Sequence, residues 1–138
     1  MKKKISRSVL FVLSILAGAM LNGAILNVGM HIIPPPEGFD MNNPDELAAA
    51  MEFMEAKHYI TPFLSHALGT LLSSVCFYFF SKSQNKYLQF LIGGLFFSGG
   101  LYMVLILPSP WIFNLLDLGF AYFPMAYVGY RIGKRKET

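Results

Sequence analysis

Four stretches of this chain, residues 9–33, 60–80, 87–107 and 111–130, contain no lysine or arginine and are dominated by apolar side chains. A helix rises about 1.5 Å per residue, so about 20 residues cross the roughly 30 Å hydrocarbon layer of a bilayer. Lipid offers no hydrogen bonds to a bare backbone, so each stretch predicts a helix even where Val, Ile and Phe favour strands in water. The totals agree. A chain of 138 residues that is 54% hydrophobic and only 14% charged has too little polar surface for a soluble domain, and one membrane domain covering 1–138 is expected.

The cations predict the direction of the spans. Lys2, Lys3, Lys4 and Arg7 precede the first, Lys82 and Lys86 separate the second from the third, and Arg131, Lys134, Arg135 and Lys136 follow the fourth. The remaining cation, Lys57, falls in the segment 34–59 among Glu37, Asp40, Asp45, Glu46, Glu52 and Glu55. Cytoplasmic loops are enriched in Lys and Arg, so both termini are expected in the cytoplasm of a bacterial inner membrane, with 34–59 outside. The net charge of +3 is thereby read as a topology signal, and no nucleic-acid partner is expected. Tyr59 and Trp111 would mark the outer interface, and Tyr87, Tyr127 and Tyr130 the inner one. The start MKKKISRSVLFVLSILAGA also resembles a secretory signal peptide, but the apolar run continues to Ile33, well past its cleavage-like Ala17-Gly18-Ala19.

Within 34–59, Pro34-Pro35-Pro36 stops the first helix and predicts an extended strut. Asn43-Pro44-Asp45-Glu46 then supplies a cap, a proline at the first helical position and acids in the first turn. Leu47, Met51, Met54 and His58 share one face of the short amphipathic helix expected there, lying on the outer membrane surface. Its plain reading is a connector that covers the bundle; the sharper one is a partner-binding surface. Thr61-Pro62 and Ser109-Pro110 read as further cap-and-proline starts, and Pro124 predicts a kink in the fourth span.

Helices in lipid associate through close packing and polar contacts, because the tails around them are as apolar as leucine. Candidate contact stripes are Ala19, Gly23, Asn27 and His31 in the first span and Ser65, Gly69 and Ser73 in the second. Gly93, Gly94, Ser98, Gly99 and Gly100 mark the third, and Gly129 and Gly133 the fourth. The fold class expected is an all-α, antiparallel bundle of four transmembrane helices. Its immediate partner is the lipid bilayer, with another membrane protein or a second copy of the chain as further alternatives.

Asp117 is the only acid inside a span, about 9 Å below the outer interface by helical rise. A charge at that depth costs several kcal/mol by the milder insertion scales, so it must face the bundle interior and find a partner. His66 and Asn27 lie at similar depth, with Asn114 and His31 on the same faces nearer the outside. These five residues form the expected polar cluster. It either locks the helices in register or handles a proton, an ion or a small polar solute. A metal site from His31, His58, His66 or Glu55 is a weaker reading, since Glu55 and His58 have an E-x-x-H spacing in one copy alone. Met30, Met41, Met51, Met54 and Met103 cluster toward the outer side, but methionine is an ordinary apolar filler. Cys76 is single, so no disulfide framework forms, and no catalytic residue or cofactor is assigned because hydrolase, P-loop and dinucleotide motifs are missing.

The segments PPPEG (34–38), KHYITPFLSHALGT (57–70) and LPSPWIFNLLDLGFAYFPM (107–125) resemble a family of small bacterial inner-membrane proteins with four spans and no characterised activity. The resemblance covers nearly the whole chain. It implies the same four-helix architecture, marks His66, Asp117 and the prolines as parts of a recurring pattern, and brings no activity, cofactor or substrate with it. The function expected is a non-enzymatic accessory or interaction protein, or a handler of a small ion or solute centred on Asp117 and His66. The alternative is a metal-dependent or redox membrane enzyme using the outer histidines. A fluorescent reporter fused after Thr138 is expected to light up in the cytoplasm, whereas an alkaline phosphatase fused there that proved active would reverse the orientation.

Overall fold

The structure, a computed structural model, describes residues 5–135, so Lys2, Lys3, Lys4 and Lys136 lie outside the described residues. It is built from helices, with no strand among those residues: α1 (Arg7–Ile32), α2 (Pro44–Ala50), α3 (Ile60–Ser81), α4 (Lys86–Ile106), α5 (Trp111–Phe120) and α6 (Phe123–Arg135). Four helical stretches, Arg7–Ile32, Ala56–Ser81, Lys86–Ile106 and Trp111–Arg135, are long and apolar enough to cross a membrane.

Local chemistry sets the helix ends. The Ser6 hydroxyl accepts from the Val9 amide at 3.3 Å, Asn43 Oδ1 from Asp45 at 3.0 Å, and Asn85 Oδ1 from Tyr87 at 3.0 Å, each satisfying an amide that the first turn leaves open. α2 is shorter than the shared face of Leu47, Met51, Met54 and His58 suggests. The helix tightens into a 3-10 turn at Met51–Phe53, Met54 is extended, and a second 3-10 turn over Ala56–Tyr59 leads into α3. Glu55 and His58 cap that turn reciprocally, so α3 starts upstream of Thr61-Pro62. Ser109 likewise does not cap α5: its hydroxyl bonds the Asn114 side chain at 2.6 Å, and Pro110 occupies the cap position.

α3 is the hub. Ser65, Ala67, Gly69, Thr70, Ser73, Ser74, Phe77 and Tyr78 are buried along it, so its interior face is mostly small or polar. Its hydroxyls are largely satisfied: Ser65 donates to Pro62 O at 2.7 Å, Thr70 to His66 O at 2.8 Å, and Ser74 contacts Gln89 Oε1 at 2.7 Å and Ala126 O at 2.6 Å. The large apolar side chains instead face out, with Met20, Ile32, Leu105 and Trp111 among the most exposed. α6 lies on α3 through Gly129 against Ser74 and Gly133 against Tyr78, and α4 meets Phe123 and Ala126 through Gly93.

The contact stripe of α1 differs from the expected one. Ala19, Gly23, Asn27 and His31 do not face α3: Gly23 has open space where a Cβ would stand, and the other three are exposed. The contacts run instead through Gly18 against Ser73 and Gly69, Asn22 against Gly69, and Gly29 against Thr61. The reason is geometric. Steps of four residues drift about 40° each around a helix of 3.6 residues per turn, whereas Gly18 and Gly29 are eleven residues and three turns apart, a net drift of only about 20° that keeps the seam facing its partner.

Because a Cβ at Gly18 would collide with Ser73 and the Gly69 carbonyl, Gly18→Val is expected to destabilise the bundle by about 1–3 kcal/mol. Gly23→Val, into open space, is expected within about 0.5 kcal/mol of wild type. Thermal melts in detergent followed by circular dichroism check the contrast, and equal losses would show that the helices do not meet at Gly18.

Candidate functional site

α5 ends where the Ala121 amide bonds Asp117 O at 2.9 Å, and α6 begins with Ala126 bonding Tyr122 O at 2.8 Å. Between them Ala121 and Tyr122 form a turn, and Pro124, with no amide proton, sits in the first turn of α6. The expected kink therefore takes the form of a turn at Ala121-Tyr122 that interrupts the helix just before the proline. In an unbroken helix a residue five positions after Asp117 would sit about 140° around the axis. The break swings it back: the Tyr122 hydroxyl donates to Asp117 Oδ2 at 2.8 Å. Gly100 on α4 makes room for that phenol, since a Cβ there would overlap the Tyr122 hydroxyl.

His66 reaches Asp117 from α3. Its Nδ1 lies 2.9 Å from both Asp117 oxygens and 3.0 Å from the Tyr122 hydroxyl, over which its ring is stacked at 5.7 Å. A carboxylate only accepts and the phenol proton is spent on Oδ2, so the network assigns a proton to Nδ1, donated to Asp117. Asp117 (2% exposed) and Tyr122 (1%) are sealed, while the His66 side chain keeps 20% of its surface. Its second nitrogen, Nε2, has no hydrogen-bond partner among the described residues.

His66 lines a cavity of about 280 Å³. Asp117 and Asn114 contribute to the floor, Met103 and Val104 of α4 to one wall, and Met41, Leu47, Met51, Met54 and His58 of the segment between α1 and α3 to the cover. The face read from the sequence thus converges on one space even though the helix meant to carry it is interrupted. Met30 completes a set of five methionines around the cavity.

Of the five expected cluster residues, His66 and Asp117 bond directly and Asn114 lines the cavity beside them, where it also accepts from the Ser109 hydroxyl. Asn27 and His31 are elsewhere: both are exposed, and the His31 ring bonds the Asn27 carbonyl at 2.8 Å on its own helix. Seating Gly29 against Thr61 turns those two outward. The weak metal candidates do not converge either. His58 accepts from the Glu55 amide at 2.8 Å through Nδ1, so its Nε2 carries the proton donated to Pro34 O at 3.1 Å. Glu55 pairs with Lys57 at 3.3 Å, and among the described residues no three His, Cys, Asp or Glu side chains come together.

Two site residues escape sequence reasoning. Tyr122 is off every periodic face of Asp117, and the signal that could have found it is Pro124. Tyr59, read as an interfacial aromatic, is 8% exposed, packs its ring 4.9 Å from Phe113, and lines the cavity with its hydroxyl buried and unbonded. No protein-family model, curated protein or solved structure matches the chain, so the geometry alone bears on function.

Tyr122→Phe removes one of the two donors to a buried carboxylate and is expected to destabilise by about 1–3 kcal/mol. An unchanged melting midpoint in detergent would mean that Asp117 does not depend on the phenol.

Proposed function

We propose that this is an integral protein of the bacterial inner membrane, an antiparallel four-helix bundle with both termini cytoplasmic, that binds a small molecule in a cavity open toward the outer face. It belongs, on this reading, with the small four-span bacterial proteins its sequence resembles. The membrane setting is supported by the arrangement of surfaces: small and polar residues such as Ser65, Thr70, Ser73 and Ser74 are inside, and Met20, Ile32 and Leu105 are outside. That is how helices pack when the surroundings are as apolar as their own side chains. The cation pattern supports the orientation.

One observation carries the binding role. His66 is held by Asp117 and Tyr122 so that Nδ1 is fully used, while the ring, whose Nε2 has no partner among the described residues, lines the cavity. A carboxylate behind an imidazole fixes its tautomer and orientation and makes the other nitrogen a better acceptor. A cluster that served only to hold helices together would have no need of a cavity beside its imidazole. The use of both His58 ring nitrogens inside the chain speaks against the alternative of a metal enzyme built on these histidines. The protein is accordingly read as a non-enzymatic solute handler or accessory subunit.

Met54 lines the cavity but takes no part in the His66 cluster. In a Cys76→Ser background, Met54→Cys is expected to react with a membrane-impermeant maleimide added outside intact spheroplasts. Labelling only after lysis would place the cavity on the opposite side, and no labelling in either state would mean it is closed to solutes.

A further inference from the structure

Methionine and leucine fill apolar space almost interchangeably, so methionines present only as filler would be spread through the helices like the other large apolar residues. They are not spread that way. Five of the eight methionines, Met30, Met41, Met51, Met54 and Met103, line the cavity, against three of the 19 leucines and one of the 13 phenylalanines. Met30 comes from α1, Met103 from α4 and the other three from the segment between α1 and α3, so the grouping is made by the fold and by no single helix. What methionine has and leucine lacks is a thioether sulfur, a soft and polarizable ligand for metal ions.

The histidine at the same cavity has the support of a metal ligand. With its Nδ1 proton donated to Asp117, His66 keeps a lone pair and no proton on Nε2, so that nitrogen can accept but cannot donate. It therefore suits a cation. A carboxylate bonded to the far nitrogen of an imidazole is the usual arrangement behind a metal-bound histidine, where it holds the ring and strengthens the other nitrogen as a ligand. His66 and Tyr122 occupy the Asp117 oxygens, so the acid stays behind the ring as a counter-charge and is not itself a ligand.

These donors select the ion. Neutral sulfur and imidazole ligands with a single carboxylate behind them match a soft cation of single charge. Calcium and magnesium require several oxygen ligands, and zinc requires a set of thiolate, imidazole and carboxylate ligands that does not come together among the described residues. The lining contains no Lys or Arg to repel a cation. At about 280 Å³ the cavity is larger than a bare ion, and the three rotatable bonds of each methionine side chain let the sulfurs close around one.

We infer that the cavity is a site for Cu(I), held by methionine thioethers and by Nε2 of His66. The ion enters and leaves without a change of oxidation state. This rests on the cavity being a binding site as proposed above, and names its solute.

The test uses the full chain carrying Cys76→Ser, which removes the one competing thiol, in nanodiscs of neutral phospholipid. Cu(I), kept reduced by ascorbate, is titrated against the chromogenic chelator bicinchoninate. The protein is expected to withhold one equivalent, which Ag(I), a redox-inert soft ion of the same charge, displaces and Zn(II) does not. X-ray absorption at the copper edge is expected to show sulfur and one nitrogen, the nitrogen being lost in His66→Ala. Met41→Leu, Met51→Leu and Met54→Leu combined keep the volume and apolarity of the lining, so the fold is kept, and affinity is expected to fall at least about tenfold. Met20→Leu, on the outer surface, is expected to leave it unchanged. No Cu(I) withheld from the chelator, a copper edge without sulfur, or equal affinity in the triple variant overturns the assignment. If copper fails while Met54→Cys is labelled from outside, the cavity stands and this ion falls; failure of both removes the cavity as a site.

Discussion

The close approach of α1 and α6 to α3, through glycines that a single methyl group would disrupt, is the constraint on which the other features hang. Gly18 and Gly29 seat α1, Gly129 and Gly133 seat α6, and the serines of α3 fill what is left. Large side chains at these points would hold the helices farther apart, and dispersion attraction weakens steeply with even a fraction of an ångström of separation. The same seating sets the rotation of α1. It places Gly29 over Thr61, presents Met30 and Ile33 to the cavity, and leaves Asn27 and His31 on the outside.

Against this tightly packed half, the region around Asp117 is open. The turn at Ala121 and Tyr122 interrupts the helix between α5 and α6, and what it gains is a phenol aimed at the Asp117 carboxylate. A buried acid is tolerated when its oxygens find donors, and here an imidazole and a phenol provide them from two different helical segments. The polar network and the cavity are therefore one construction: the donors that stabilise Asp117 also fix the imidazole that lines the cavity. The segment between α1 and α3 completes it, tied down by the His58 bond to Pro34 O.

Much of the architecture is legible in the sequence because its causes are local. The helical stretches follow from uncharged runs, and the start of α2 from Asn43, whose side chain reaches only two residues along the chain. Asp117 and His66 stand out because an acid or an imidazole in an apolar run needs a partner, whatever the packing. Asn27 and His31 depart from expectation for the opposite reason. Depth in a helix can be counted from the sequence, but the rotation about its axis depends on which neighbour it packs against, and one residue of error turns a face by about 100°.

The amino-acid sequence by itself determined that the chain is helical, where its long apolar helices lie, and that an acid and a histidine share a level, because these follow from hydropathy, capping and rise along a single strand of chain. Only the tertiary structure decided that Tyr122 joins them, that Tyr59 is buried with an unbonded hydroxyl, and that five methionines spread across the sequence ring one cavity. Each of those facts depends on how separate helices are rotated and broken against one another. That is settled by glycine contacts between distant segments, which no periodicity within one segment encodes.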